Sequence, residues 1–358
     1  MSRNFHSLQV AKTDCEIGGD AKTVTFDIPE DLGETFSWRP GQHITLRFLL
    51  NNEEVRRSYS ISSSPFTGEP LRITVKRVKG GLISNHINNN ISAGETIEVM
   101  PPFGNFCLDP DDSLRRTHYF FGAGSGITPL YSMICSVLAA EPHSYAHLVY
   151  GNKSENTIIF KNEFKELSNK HPDRFSIAHI LSRPSMLSGF SYWRKGNIDE
   201  VSIEATITEH PPYAQDAQYY ICGPGSMNQT VKSALLGLDV PLDRIHMESY
   251  GGVMDLDNSV QGVNATMHVS LEGESYQVPI DAGQTILEAM RSAGLNPSFS
   301  CLAGVCGACR AQLKNGTVHM RTRMALKDSE IEDGAILTCQ AVPTSPKIYL
   351  NLAERSSK

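Results

Sequence analysis

The chain has 358 residues and a net charge of −7, enough for two or three domains at roughly 100–200 residues each, which excludes a single small binding module. Hydrophobic residues at 40% and charged residues at 20% are ordinary globular proportions, so neither a disordered nor a membrane-embedded chain fits, and the acidic balance argues against general nucleic-acid binding. Eight cysteines are too few for a disulfide scaffold, yet Cys301, Cys306 and Cys309 crowd into nine positions.

The opening Met1 to Leu8 holds no signal-peptide run, and no later stretch reaches the ~18–20 apolar residues of a membrane span. A reducing, cytoplasmic setting without a membrane partner is expected, and there closely spaced cysteines are more often metal or redox ligands than disulfides. In chain order, short strands are predicted at Thr23 to Ile28, His43 to Leu49, Leu71 to Arg77 and Thr96 to Met100, punctuated by Pro40-Gly41 and Gly80-Gly81. That rhythm predicts a small β-barrel or sandwich. From His118 the pattern changes to alternation: a strand to Gly122, a helix from Pro129 to Ala140, a strand from Ala146 to Tyr150, a helix near Asn162 to Asn169, and a strand from Ser176 to Leu181. A strand from Gln218 to Cys222 and a helix from Gly225 to Leu236 follow. Such alternation predicts a doubly wound parallel sheet. Residues 251–263, rich in Gly, Asp and Asn, read as a linker. Beyond them come strands at Thr266 to Leu271 and Ser275 to Ile280, a helix carrying Ile286, Leu287 and Met290 that Gly294 stops, and the cysteine loop. Strands at Arg310 to Lys314, Ile336 to Ala341 and Lys347 to Leu352 close the chain.

The cysteine spacing is Cys301-x4-Cys306-x2-Cys309, with Cys339 after a further twenty-nine residues, the plant-type arrangement for a [2Fe–2S] cluster. Four thiolates converging on two irons need a close-wrapped loop, which accounts for the small Ala303, Gly304, Gly307 and Ala308. Structural zinc, the competing reading, favours well-separated C-x2–4-C pairs, and only one such pair is present. The string Ser300 to Cys309, with Leu337-Thr338-Cys339-Gln340, resembles a plant-type ferredoxin domain over residues 264–358. That segment departs from the usual acidity of soluble ferredoxins, because its nine Lys or Arg balance nine Asp or Glu.

Upstream, Arg57-Ser58-Tyr59-Ser60 offers a guanidinium for a diphosphate, a phenol to stack on an isoalloxazine and a hydroxyl near flavin N5. Alternation puts Arg57 and Tyr59 on one face and Ser58 and Ser60 on the other, and an ordinary exposed strand would carry the same string. Lys76 precedes Gly80-Gly81-Leu82-Ile83-Ser84, which opens a short helix. Its N-terminal N–H groups suit a pyrophosphate, although a plain turn and N-cap reads equally well. These strings, with Pro102-Phe103-Gly104-x-Phe106, resemble the FAD domain of the ferredoxin reductase family, and a diphosphate turn favours FAD over FMN.

Gly122-Ala123-Gly124-Ser125-Gly126-Ile127-Thr128-Pro129 is a glycine turn opening a helix, but not the G-x-G-x-x-G fingerprint, and no acid ends the next strand at Tyr150-Gly151-Asn152. With Lys153 and Cys222-Gly223-Pro224-Gly225, it resembles the NAD(P) domain of the same family. The resemblance implies that Thr128 and Cys222 border the nicotinamide, that Ser182 and Arg183 hold the adenosine ribose with a lean to NADPH over NADH, and that Glu248 and Tyr250 lie near the flavin's nicotinamide face. Cys222 alone would read as core, Arg183 as a solvated loop residue and Tyr250 as packing.

The expected fold is multidomain: a β-barrel FAD domain (1–111), an α/β parallel-sheet nicotinamide domain (112–250), a linker, and an α+β β-grasp ferredoxin domain (264–358). Nicotinamide releases two electrons together, an iron–sulfur cluster takes one at a time, and flavin does both. The resemblance therefore implies an NAD(P)H-dependent reductase. In it Tyr59, Ser60, Thr128, Cys222 and Glu248 serve the hydride step, and Cys301, Cys306, Cys309 and Cys339 hold the cluster that feeds a terminal oxygenase. Phe5 to Leu8, Val10-Ala11-Lys12 and Ile245 to Tyr250 are most similar to reductases of the phenylacetyl-CoA epoxidase type. Relatives of this layout also serve desaturases, demethylases and hybrid-cluster proteins, and a non-catalytic electron-carrier or docking module is the reading from another class.

Overall fold

Alternating burial along short strands builds the first sheet. In the computed structural model, which describes residues 5–16, 18–185, 193–213, 216–249, 256–271, 273–326 and 328–352, strands β1 (His6–Cys15), β2 (Ala21–Asp27), β3 (His43–Leu50), β4 (Glu53–Ser60), β5 (Arg72–Lys76) and β6 (Thr96–Phe103) pair in the order β4-β3-β6-β1-β2-β5. An antiparallel bridge between Ile61, just past β4, and Ile73 on β5 joins the two edges. The sheet thus closes into a barrel and hides its edges. Leu8, Val24, Phe26, Ile44, Leu46, Ile73 and Val99 fill it, and helix α1 (Leu82–Asn90) adds Ile83 and Ile87 to the same core.

Apolar, almost unbroken strands form the second sheet, as expected where helices cover both faces. Strands β7 (Thr117–Ala123), β8 (Tyr145–Asn152), β9 (Phe175–Leu181), β10 (Trp193–Lys195), β11 (Ala217–Gly223) and β12 (Ile245–Ser249) run parallel in the order β10-β9-β8-β7-β11-β12. Helices α2 (Ile127–Ala140), α3 (Lys161–Lys170), α4 (Glu200–Glu209) and α5 (Gly225–Gly237) connect them. Separate apolar clusters lie on the two faces, one around Phe120, Leu130 and Phe164, the other around Tyr119, Ile203 and Val231. Strand order reverses between β7 and β11, and in such sheets ligands bind outside the carboxyl ends of the strands at that point.

The third sheet is mixed. Strands β13 (Ala265–Leu271), β14 (Glu274–Ile280), β15 (Arg310–Asn315), β16 (Val318–Met320), β17 (Ala335–Leu337), β18 (Ala341–Pro343) and β19 (Lys347–Leu352) accompany helices α6 (Ile286–Ser292) and α7 (Asp328–Glu332). Five of the strands pair as β14-β13-β19-β15-β17, with only β13 and β19 parallel, while β16 and β18 form a small ribbon. Thr285 caps α6 by accepting from the Glu288 N–H, and Ile286, Leu287 and Met290 pack under the sheet as the β-grasp arrangement requires. The single strand expected at Ile336 to Ala341 is divided here into β17 and β18. Thr338 N–H donates to Cys309 O at 3.1 Å and Gln340 N–H to Leu337 O at 2.9 Å, so the chain turns where Cys339 must face the cysteine loop.

The chain separates into two compact units, one centred on Val253–Lys358 and the other on His6–Val55 and Tyr59–Gly252. The barrel and the parallel sheet share the larger unit. Among the described residues no helix is long and apolar enough to cross a membrane.

Candidate functional site

A cavity of about 630 Å³ opens at the carboxyl ends of β7, β8, β9 and β11, within the usual size range of cofactor sites. Its floor is the glycine turn. Gly124 has φ +55°, a left-handed conformation that side chains resist, and Tyr150 Oη donates to its carbonyl at 3.0 Å. A Cβ on Gly126 would sit 2.1 Å from the Cys222 carbonyl oxygen. The turn therefore lies directly on β11, with backbone where a side chain would stand.

Of the residues expected around the nicotinamide coenzyme, Gly124, Ser125, Gly126, Ser182, Gly223 and Pro224 line this cavity. Thr128 is 2% exposed behind the turn and donates to Ser125 O at 3.0 Å, and Cys222 is fully buried. Arg183 is exposed and outside the lining, held by its backbone N–H to Lys153 O at 2.7 Å. Glu248 pairs in register with Cys222 across β11 and β12, its carbonyl accepting from Asn228 Nδ2 at 2.8 Å. Tyr250 lies outside the described residues.

Lys76, expected beside the FAD turn, instead extends from the barrel to line this cavity, its ammonium 3.6 Å from where a Cβ of Gly124 would be. Burial holds it below the usual lysine range, and Lys153 adds to this against the opposing charge of Asp20. Asn152, Lys153 and Asn197 complete the polar wall. Sequence reasoning passed over Asn152 and Lys153 as ligands, although their place immediately at the end of β8 was a usable signal. Asn197 had none. Asn152 is 8% exposed, and its buried carboxamide interacts only with the Tyr150 hydroxyl, which donates its proton to Gly124 O. Two lysines, a glycine turn that brings backbone to the surface and a buried amide with spare hydrogen-bonding capacity fit a phosphate-bearing, hydrogen-bonding ligand.

On the barrel, β4 alternates as expected: Arg57 is exposed and Tyr59 half-buried on one side, Ser58 half-buried and Ser60 buried on the other. Gly80 has φ +74°, and Gly81 leads α1 with no side chain capping the helix, leaving N-terminal N–H groups for an anion. A Cβ on Gly81 would fall 2.4 Å from Ser84 Oγ, and Ser84 Oγ accepts from Val78 N–H at 3.3 Å, so Ser84 braces the turn. Ile83 points into the barrel core, which leaves only its backbone for a ligand, while Leu82 and Val78 stand exposed beside the turn. An uncapped helix start flanked by apolar side chains fits the diphosphate and ring system of FAD.

The cysteine loop wraps through three left-handed positions, Leu302 (φ +57°), Gly304 (φ +70°) and Gly307 (φ +67°). A Cβ on Gly304 would lie 2.7 Å from Thr322 Cγ2 and 2.9 Å from Gln340 Cγ. The Gln340 side chain holds the loop by donating to Leu302 O at 2.8 Å. The thiols form two pairs: Cys309 Sγ lies 3.2 Å from Cys339 Sγ, and Cys306 donates to Cys301. That bond, with backbone N–H groups of Ala303, Val305 and Cys306, outweighs burial and draws Cys301 down to about 6. Burial and the neighbouring thiol push Cys306 and Cys309 up. A two-plus-two set suits two irons better than one tetrahedral zinc.

Family models match this layout. Residues 8–107 match the oxidoreductase FAD-binding domain, 120–233 the oxidoreductase NAD-binding domain and 269–344 the 2Fe-2S iron-sulfur cluster binding domain. The chain is 33% identical over 351 residues to one of the subunits of 1,2-phenylacetyl-CoA epoxidase from Escherichia coli K12, covering 97% of each. It belongs to the ferredoxin reductase family. Another relative in this family is the ferredoxin reductase component of 3-ketosteroid-9-alpha-monooxygenase from Rhodococcus rhodochrous, 33% identical with 92% of each chain covered. Phthalate dioxygenase reductase shares the fold, with a TM-score of 0.60 at 24% identity over 97% of this chain and 98% of that one. As a ferredoxin reductase family member with FAD, NAD and 2Fe–2S domains in that order, the chain is a flavin- and iron–sulfur-dependent oxidoreductase.

Proposed function

We propose that this chain is the electron-donating component of a multicomponent oxygenase, drawing on NAD(P)H and serving a phenylacetyl-CoA epoxidase system. The observation that carries the reading is the presence in one chain of a phosphate-suited nucleotide cavity and a cysteine loop with two thiol pairs. Two relatives that match it over nearly their whole length are named as parts of oxygenase systems, and one of them belongs to the epoxidase. FAD, when bound, exchanges electrons in pairs with nicotinamide and singly with an iron–sulfur centre.

The residues divide that work. Arg57 and the open start of α1, through Gly81, Leu82, Ile83 and Ser84, hold the FAD diphosphate, while Ser58, Tyr59 and Ser60 hold and orient its ring system. Gly124, Ser125 and Gly126 bring backbone to the coenzyme phosphates, with Lys76 and Lys153 supplying charge and Ser182 facing the ribose. Thr128, Cys222, Gly223 and Pro224 border the nicotinamide side, and Glu248 and Tyr250 close the flavin side. Cys301, Cys306, Cys309 and Cys339 bind the cluster, and the N–H groups around Cys301 favour its thiolate. The functional divisions are 1–111, 112–250 and 264–358 with a linker at 251–263, which keeps each described sheet whole. Free thiols throughout the described residues suit a reducing cytoplasm.

The test is reconstitution. Purified holoprotein mixed with the oxygenase component of the epoxidase system should support phenylacetyl-CoA-dependent NAD(P)H oxidation and epoxide formation. Rapid oxidation with ferricyanide but none with that oxygenase would move the acceptor elsewhere. No oxidation with either would favour the carrier or docking module.

A further inference from the structure

The segment that leaves β4 reads Ser60-Ile61-Ser62-Ser63-Ser64, and all four serines are buried, the last three completely. Facing it is α2, where Thr128, Ser132 and Ser136 recur every fourth residue and so share one face of the helix. Ser132 and Ser136 are also fully buried. Ser132 Oγ donates to Ser63 O at 2.6 Å, and Ser136 Oγ donates to Ser132 O at 2.7 Å. With the Ser136 proton so engaged, Ser64 is the donor in its 2.7 Å contact with Ser136. Three further bonds tie in the same atoms: Trp38 Nε1 donates to Ser63 O at 3.2 Å, Arg72 N–H to Ser63 Oγ at 3.1 Å and Phe66 N–H to Ser64 Oγ at 3.1 Å.

This seam joins the barrel to the parallel sheet inside the larger unit. Burying hydroxyls costs desolvation that alanines would avoid, and a network in which every hydroxyl has a partner returns a fixed orientation. Its two strands of bonding lead to the two proposed reactant faces. On the barrel side Ser63 lies three residues beyond Ser60, and on the helix side Ser132 lies four residues, about 6 Å of rise, beyond Thr128.

We propose that Ser132 and Ser136, with Ser63 O and Ser64 Oγ as their partners, are positioning residues that set the distance and tilt between the flavin face at Tyr59–Ser60 and the nicotinamide face at Thr128. The proposal rests on the functional reading of those three residues. The seam is built of directional bonds at a place where a mismatch of 1 Å costs about a hundredfold in rate.

The test uses holoprotein carrying Ser132→Ala, Ser136→Ala, Ser64→Ala and the Ser64/Ser136 double substitution. Four quantities are read: FAD content, affinity for oxidised coenzyme, long-wavelength absorbance of the stacked coenzyme and flavin, and flavin bleaching by NAD(P)H in stopped flow. Bleaching should slow about tenfold or more, with a weaker stacking band, while FAD content and coenzyme affinity stay within about twofold. The double variant should lose less than the two singles combined, because each single already removes the bond that Ser64 and Ser136 share. Lowered thermal stability with an unchanged bleaching rate and band would overturn the proposal, as would a rate loss matched by lost FAD or coenzyme affinity. Should the Ser132 or Ser136 variants not fold, Ser64→Ala on the barrel side decides by the same criteria. Ser60→Ala and Thr128→Ala beside them separate the two levels: unchanged bleaching in both would mean that the site reading itself had failed.

Discussion

The cysteine loop and the nucleotide cavity solve the same problem, holding a redox group, in opposite ways. Three of the four proposed cluster cysteines come from nine consecutive residues, and the loop reaches its shape through local backbone choices at Leu302, Gly304 and Gly307. The cavity is assembled from the ends of four strands, the segment before α4, the start of α5 and one lysine of a different sheet, so its shape belongs to the topology. A contiguous site is broken by one substitution without disturbing the rest. A topological site is graded, losing function in proportion to which wall is touched.

The largest effect expected is on the contiguous side. Cys306→Ser should abolish electron delivery to a one-electron protein acceptor while flavin bleaching by NAD(P)H proceeds at the parent rate, and equal loss of both steps would show that the two regions are not separable. Next comes the cavity floor. Gly126→Ala places a Cβ 2.1 Å from the Cys222 carbonyl oxygen, a backbone clash that should cost about 3 kcal/mol or more of stability, or coenzyme binding altogether. Thermal melts and coenzyme titration measure it.

A graded wall should show in the cations. Lys76→Ala should weaken coenzyme binding about tenfold, as for loss of a charge-assisted hydrogen bond, and Arg183→Ala should change it by less than about twofold because Arg183 is exposed outside the lining. The reverse order in a titration would move the phosphate site to Arg183. The smallest effect is on pH. Burial depresses His147 to about 3 and His179 to about 4 from 6.5, so below about 6.5 the unfolded chain binds protons that the folded chain refuses. The melting midpoint should fall as pH drops from 6.5 toward 4, and His179→Gln should lessen the fall.

The same contrast explains what could be read beforehand. Cysteine spacing carries its own geometry, so the 2Fe-2S domain and the convergence of its four thiols were legible in the sequence. The barrel strands, the parallel alternation and the glycine turns were legible from hydrophobic period and punctuation. Strand β1, with its polar outward positions, and helix α4, whose apolar residues are scattered around it, gave little periodic signal. The break between β17 and β18 falls within the apolar run Ala335 to Leu337 and Ala341 to Pro343 and is imposed by Cys339 turning toward Cys309, a tertiary demand that local pattern cannot express. Lys76 shows a related limit: in sequence it stands beside the turn at Gly80-Gly81, while its ammonium lines the cavity at the carboxyl ends of the parallel strands.

The central claim, that electrons pass through the flavin to reach the cluster, is tested most directly by anaerobic stopped flow on the full chain, following flavin and cluster absorbance separately after mixing with NAD(P)H. The account predicts that flavin bleaches before the cluster and that the chain stripped of FAD leaves its cluster oxidised. Cluster reduction by NAD(P)H at the same rate without FAD would contradict it.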